Sequence, residues 1–380
     1  MHRRNIVICA NDVTQIGGIS RVIHSSADAF RERGYEVTLL GMNSIDEERS
    51  YRESSDQSSG YRIIVPYAGQ PPSRKEDFEK WNRMRGEAVG YMRAFLDSID
   101  VSDTIFIVLH VYVMEHLIET GVKLGGDDGL AVMGMYHSSF ESCRKIGDLS
   151  RVQHAYSQVT RFLALTKKDR DEYAAAGMTN ASFIYNPVKL LTEPEERPWE
   201  DREKKIVYVG RFSREKNIAD IVRVWADLAG EYEDWTLDIY GVGPEENNIA
   251  TAILENRVTR SVRLMGPTQN PEEVFAKSRI MVMASDYEGL PVAVVEAGLC
   301  GLPTVTVASS PGMSVLVEDG VSGFVTPKGD LDAFSNRLRQ LLEDDSLNES
   351  MGAKAKDRMS RFEPERIIND WERLFEFSGI

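Results

Sequence analysis

Two acids separated by seven residues, Glu288 and Glu296, lie in the segment Asp286-Tyr287-Glu288-Gly289-Leu290-Pro291, which continues through Val292 to Pro303. The apolar run Ile280 to Ala284 before them reads as a buried strand. Pro291 stands where a helix can start, since its missing N–H is not needed there. A loop that opens into a helix offers unpaired backbone N–H groups and the positive end of the helix dipole. That is a seat for phosphate, and Gly289 and Leu290 line it. Glu288 lies in the loop. Glu296 lies between one and two turns into the helix, among apolar neighbours. A carboxylate there accepts two hydrogen bonds and suits a ribose diol. The plainer reading of Glu296 is a solvated acid on an ordinary αβ unit.

A second set follows the apolar run Lys205 to Val209: Gly210-Arg211-Phe212-Ser213-Arg214-Glu215-Lys216-Asn217. Gly210 lets backbone approach a ligand closely. Arg211 brings a planar fork and Lys216 a mobile point charge, and both suit a diphosphate. A charged surface loop would read the same way. Gly241-Val242-Gly243 is only a partial glycine fingerprint, because the third glycine is missing. It reads as a tight turn before a helix. In the first half, Gly17-Gly18 opens a helix and permits close approach of a phosphate or sugar; a flexible turn is the alternative. His137 follows the apolar strand Leu130 to Tyr136 and can bond sugar hydroxyls, although a lone histidine is often structural.

Strand-like apolar runs alternate with helical stretches to position these residues. In the first half strands are expected at 5–10, 36–42, 61–67, 104–110, 130–136, 161–166 and 181–185, with helices at 19–33 and 79–99 and a polar loop at 44–60. The pattern restarts with strands at 205–209, 236–240, 262–265, 280–284, 304–307 and 323–326. Terminal helices are expected at 330–342, 346–361 and 363–377. Continuous apolar strands between helices indicate parallel sheets covered on both faces. The expectation is α/β: two doubly wound domains at 1–188 and 205–361, with an interdomain cleft where strand ends bind ligands. A proline-bearing acidic linker, 189–204, joins them, and a last helix spans 362–380.

Composition narrows the classes. The 380 residues carry a net charge of -15. Residues 1–190 hold 23 Lys/Arg and 25 Asp/Glu; the remainder holds 22 and 35. The acidic excess in the second half disfavours nucleic acid, which asks for a basic face. The near-neutral first half can approach an anionic membrane surface. No apolar run reaches the roughly 20 residues of a membrane span, and none suits a signal-peptide core. Three scattered cysteines and six histidines without ligand spacing suggest a reduced, cytoplasmic chain and no metal site.

Taken together, these segments resemble the retaining glycosyltransferases of family 4, which share the two-domain GT-B fold. The carriers are Gly17-Gly18, the Gly210 to Asn217 segment, Glu288 to Glu296, Gly298 to Pro303 and Val317 to Phe324, with Asn186-Pro187 before the linker. The resemblance implies that Arg211 and Lys216 hold the donor pyrophosphate and Glu296 the ribose. It implies that Glu288 and His137 contact the transferred sugar and that Gly18 approaches the donor on closure. It also implies that helix 362–380 packs back on the first domain. The chain departs from the pattern at Val315, where many members carry an acid. The implied reaction moves a hexose from a nucleoside-diphosphate sugar, UDP-linked by family frequency, to a hydroxyl acceptor. That acceptor is a glycan, a lipid-linked sugar or a polyol-phosphate polymer. No cofactor is implied beyond the nucleotide-sugar substrate, and no Asp-x-Asp is placed to hold a metal. A sugar-nucleotide epimerase and a non-catalytic sugar-nucleotide-binding subunit remain as rival classes.

Overall fold

The computed structural model describes residues 5–13, 17–42, 54–55, 62–64, 77–126, 129–192, 194–195 and 197–380. The expected loop at 44–60 and the outer parts of the strand expected at 61–67 fall mostly outside them, as do Gln15, Ile16, Glu193 and Glu196. The chain divides into two compact units, one of 1–187 with 364–380 and one of 188–363.

The first unit runs β1 (Asn5–Ala10), α1 (Gly18–Glu32), β2 (Glu36–Gly41), β3 (Ser54–Ser55), β4 (Arg62–Ile64), α2 (Phe78–Asp97), β5 (Thr104–Val108) and α3 (Val111–Glu119). It continues with β6 (Ala131–Met135), α4 (Phe140–Ile146), α5 (Leu149–Tyr156), β7 (Arg161–Ala164), α6 (Lys167–Ala175) and β8 (Ala181–Phe183). The strands form one sheet in the order β3-β4-β2-β1-β5-β6-β7-β8. Every pair is parallel except the two-residue β3 with β4, which is antiparallel. β1, β5 and β6 are buried along nearly their whole length, as strands covered on both faces must be. Phe106, Tyr156, Phe162 and Tyr173 fill the core beneath them.

The last helix, α14 (Pro364–Phe377), completes this unit. Its Trp371 and Phe375 pack around Phe30 of α1, at ring-centroid distances of 5.9 and 6.0 Å. Arg33 closes the edge through Asn369 at 2.6 Å and Glu372 at 3.1 Å. Burying each such aromatic contributes about 1.5–3 kcal/mol, so the aromatic contacts and not the exposed ion pair hold α14 in place.

The second unit runs β9 (Lys205–Val209), α7 (Ile218–Leu228), β10 (Thr236–Tyr240), α8 (Glu246–Glu255), β11 (Val262–Gly266), α9 (Pro271–Lys277) and β12 (Ile280–Met283). It closes with α10 (Val292–Leu299), β13 (Thr304–Val307), α11 (Pro311–Leu316), β14 (Gly323–Thr326), α12 (Leu331–Glu343) and α13 (Asp345–Met359). Its six strands are all parallel, in the order β11-β10-β9-β12-β13-β14. Trp225, Trp235, Tyr208, Phe212 and Phe334 are among its largest buried side chains. The described residues of 189–204, expected as a linker, belong to this unit. Leu191 N–H donates to Glu272 Oε1 at 2.8 Å, and the Trp199 ring lies 5.2 Å from the Arg202 guanidinium and 5.6 Å from that of Arg279. The proline and acidic signals marked a boundary, but the aromatic among them anchors the segment. Among the described residues, no helix is long and apolar enough to cross a membrane.

Candidate functional site

In the second sheet the chain runs outward from β9 through β10 to β11, then returns to begin again at β12 on the other side. The loops leaving β9 and β12 therefore emerge side by side, at the point where open parallel sheets bind ligands. Lys216, from the first loop, and Glu288, from the second, meet there with Nζ and Oε1 2.7 Å apart. The pair is largely shielded, with the two side chains 19% and 9% exposed. The two loops are laced together besides. Asp286 N–H donates to Glu215 O at 2.7 Å, and Asn217 Nδ2 donates to Ala284 O at 3.1 Å. Asn217 holds a left-handed backbone with φ of 49°, which a short polar side chain tolerates better than most. Tyr208 reaches up from β9 to donate its hydroxyl to Arg211 O at 3.2 Å, and burial together with Glu288 and Glu215 pushes its ionisation upward. Arg211 is exposed and makes no ion pair among the described residues.

Lys216 keeps N–H donors beyond the one that Glu288 takes. The arrangement is thus a held cation with free donors, beside the start of α10. That helix has no side-chain cap: Pro291 is its N-cap residue, and Gly289 and Leu290 lead into it, both buried. Glu296 is only 3% exposed. The next loop presses against this seat. A Cβ on Gly312 would collide with Gly289 O, so only glycine fits there, and Ser310 Oγ reaches Gly289 O at 3.4 Å. Val315 lies half-buried on α11 and offers its carbonyl to Arg358 Nε at 3.0 Å. Gly210 and Gly241 interlock in the same manner, since a Cβ on Gly241 would strike Gly210 O. The Gly241-Gly243 turn is therefore a packing device in this structure.

The first sheet has its own reversal, between β1 and β5. Register pairs Cys9 with Val108, and Val108 with Gly134. Asn11, His110 and His137 accordingly follow neighbouring strand ends. Asn11 N–H donates to His110 Nδ1 at 3.3 Å. An imidazole that accepts at Nδ1 and is neutral carries its proton on Nε2. Burial pushes His110 down to about 4, and burial together with the neighbouring His110 pushes His137 down to about 3. Both are neutral at physiological pH. Asn11 Oδ1 and His137 Nε2 are buried without a hydrogen-bond partner among the described residues. Unsatisfied buried polar atoms cost about 1–3 kcal/mol each, which a bound hydroxyl can recover. Gly17 is the N-cap residue of α1, in extended backbone, and Gly17 and Gly18 are both exposed. A Cβ on Gly17 would meet nothing within 4 Å.

The residues singled out from sequence thus fall into two groups. Arg211, Lys216, Glu288, Gly210, Gly289, Leu290 and Glu296 gather at the reversal of the second sheet. His137, Gly17 and Gly18 belong to the first unit. Sequence reasoning passed over His110, Asn217, Tyr208 and Lys328. Lys328 Nζ donates to Asp286 O at 2.7 Å. The first three lie next to a strand end or in a loop already marked, which is the signal that could have found them; Lys328 carries no such mark.

Comparisons with known proteins bear on the family and the fold. Residues 191–358 match the family model described as Glycosyl transferases group 1. Over 365 residues the chain is 26% identical to an uncharacterized glycosyltransferase of Haemophilus influenzae, covering 96% of this chain and 97% of that protein. It is 25% identical over 221 residues to a poly(ribitol-phosphate) alpha-N-acetylglucosaminyltransferase of Staphylococcus aureus, covering 58% of this chain and 44% of that protein. Among solved structures, a mutant of S. aureus TarM in complex with Fondaparinux, alpha-GlcNAc-glycerol and UDP matches with a TM-score of 0.76 at 14% identity, covering 98% of this chain and 99% of that one. The two parallel-sheet units are those of the GT-B fold, and the second matches group 1 glycosyltransferases.

Proposed function

We propose that this chain is a retaining family 4 glycosyltransferase that moves a hexose from a UDP-linked donor to a hydroxyl acceptor. The acceptor class is a cell-envelope glycan or a polyol-phosphate polymer, in keeping with the name of the S. aureus relative. The observation that carries the reading is the Lys216–Glu288 pair at 2.7 Å beside the uncapped start of α10, inside the segment that matches the family.

In this reading Glu296 binds the ribose diol, and Arg211, Lys216 and the start of α10 meet the diphosphate. As the bond from the anomeric carbon to phosphate oxygen breaks, negative charge grows on the leaving diphosphate. Preorganised cations and N–H dipoles stabilise that charge more than the ground state. The acceptor oxygen bonds to the same face of the anomeric carbon and gives its proton to the departing phosphate oxygen. Glu288 orients both Lys216 and the transferred sugar. The first unit contributes the acceptor side; in addition its neutral imidazole His137 contacts the transferred sugar without adding charge, and Gly17 and Gly18 leave room for the donor. The phosphate charge is met by protein groups, so turnover needs no divalent metal. The chain works in the cytoplasm, with the near-neutral first unit able to lie at an anionic membrane face.

A thermal-shift screen of nucleoside diphosphates and sugar nucleotides tests the donor class. A ligand at 100 times its dissociation constant stabilises by about 2.7 kcal/mol, well within detection. UDP and a UDP-hexose are expected to raise the midpoint, and turnover is expected to persist in EDTA. Activity abolished by chelation and restored by magnesium or manganese would overturn the metal-independent mechanism.

A further inference from the structure

One contact at the donor-side loop comes from a part of the chain that neither the motifs nor the family reading touches. After β14 the chain makes a tight turn, Pro327-Lys328-Gly329-Asp330, closed by Asp330 N–H donating to Pro327 O at 3.2 Å. Gly329 has φ of 79°, the conformation that the third position of a type II turn requires. The turn is fixed at both ends, by β14 on one side and by Asp330 on the other, whose carboxylate caps α12 through Ala333 N–H at 2.9 Å. Lys328 is therefore presented from a rigid support.

Its ammonium has three N–H directions and meets three partners. Nζ donates to Asp286 O at 2.7 Å, lies 3.2 Å from Asp286 Oδ1 and stands 4.3 Å from the centre of the Tyr287 ring. Two oxygens and a ring face take up what the ammonium can offer, which leaves it poorly suited to bind a substrate charge itself. What it grips is the backbone immediately before Glu288. The opposite side of the same short loop is gripped from the loop after β9, through Glu215, Lys216 and Asn217.

We infer that Lys328 is a positioning residue: it clamps Asp286 and Tyr287 from the β14 turn so that Glu288 is held at Lys216. The inference rests on the proposed function for its catalytic consequence, but not for the clamp itself. Lys328 and Asp286 are both partly exposed, and exposed ion pairs contribute little to global stability. The clamp therefore shows in the order of the loop and in turnover, and the thermal midpoint stays nearly unchanged.

Amide hydrogen exchange on the full chain reads the clamp directly, without ligand. In Lys328→Ala, exchange at Asp286 to Glu288 is expected to rise about tenfold, the scale of one lost charge-assisted hydrogen bond. The rest of the second unit is expected to be unchanged. Lys328→Arg, which keeps the charge and the ring contact, is expected to restore most of the protection. Unchanged exchange at Asp286 to Glu288 in Lys328→Ala overturns the inference, and so does a uniform rise across the whole unit. In steady-state kinetics, Lys328→Ala is expected to lower kcat about tenfold with nucleoside-diphosphate affinity within about twofold, because a shifted loop misplaces the reacting groups. An unchanged kcat overturns the catalytic half. A wild-type chain that turns over no sugar nucleotide defeats the proposed function instead, and the exchange experiment still decides the clamp.

Discussion

The two sheet reversals of this molecule are built on opposite plans. The one in the second unit is charged and finished: Lys216 and Glu288 already meet, Asn217 and Asp286 lace the loops, and Gly312 fits against Gly289 O. The one in the first unit is neutral and unfinished. His110 and His137 are held uncharged, Asn11 Oδ1 and His137 Nε2 lack partners among the described residues, and a Cβ on Gly17 would meet nothing. Under the proposed function, the difference follows from what each would hold. Charge that develops in a reaction is best met by groups fixed in advance, since reorganising them at that moment costs free energy. Sugar hydroxyls ask only for donors and acceptors that a ligand can complete.

The largest effect should come from removing the charge at the finished end. Lys216→Ala is expected to slow turnover about a hundredfold at saturating donor, the scale of one lost transition-state donor. Glu296→Gln should mainly raise the donor KM, because the ribose does not change during the reaction. Steady-state kinetics on both variants decides it, and a Lys216→Ala enzyme with a raised KM and intact kcat would reduce Lys216 to a binding residue.

Protons test the neutral end. A histidine with a depressed folded-state pKa binds its proton more weakly in the folded than in the unfolded chain, so stability falls as pH drops below the unfolded value. For His110 and His137 the window runs from the ordinary value of about 6.5 down to about 4 and about 3. Within it each contributes a slope of about 1.4 kcal/mol per pH unit. Native-state hydrogen exchange in the first unit should therefore weaken between pH 6.5 and 4, and His137→Gln should flatten that dependence. A variant with the wild-type slope would show that His137 is not held neutral.

The smallest effects separate the two plans by sterics. Gly312→Ala must displace Gly289 or Leu290 and is expected to cost about 1–3 kcal/mol. Gly17→Ala, in extended backbone with open space, should stay within about 0.5 kcal/mol. Equal losses in chemical denaturation would erase the distinction between a packed site and an open one.

What could be read from the sequence followed the strength of each local signal. The strands Lys205–Val209, Thr236–Tyr240, Thr304–Val307 and Gly323–Thr326 lie where the sequence puts them, because each is a short run rich in β-branched and aromatic residues followed within two residues by glycine, serine or proline. β3 is two serines and carries no hydrophobic pattern, so its antiparallel pairing could not be read. Lys216 and Glu288 were legible as types at strand ends, but their meeting was not. They are 72 residues apart, and only the adjacency of β9 and β12 joins them. His110 looked like any lone histidine, because its partner Asn11 is 99 residues away across the β1–β5 pairing. Trp199 was hidden inside a segment whose prolines and acids spoke for a linker.

The placement of α14 bears on how the molecule is born. The first unit needs Trp371 and Phe375 against Phe30, yet the whole of residues 188–363 must leave the ribosome before them. At about 5–20 residues per second, the stretch from 188 to 380 takes on the order of 10–40 s to synthesise. Throughout that interval the α1 face around Phe30 and Tyr35 is uncovered, while the second unit, made of one continuous segment, can already close. Assembly order thus runs against chain order: of the two units, the one whose synthesis starts first is the one that finishes last.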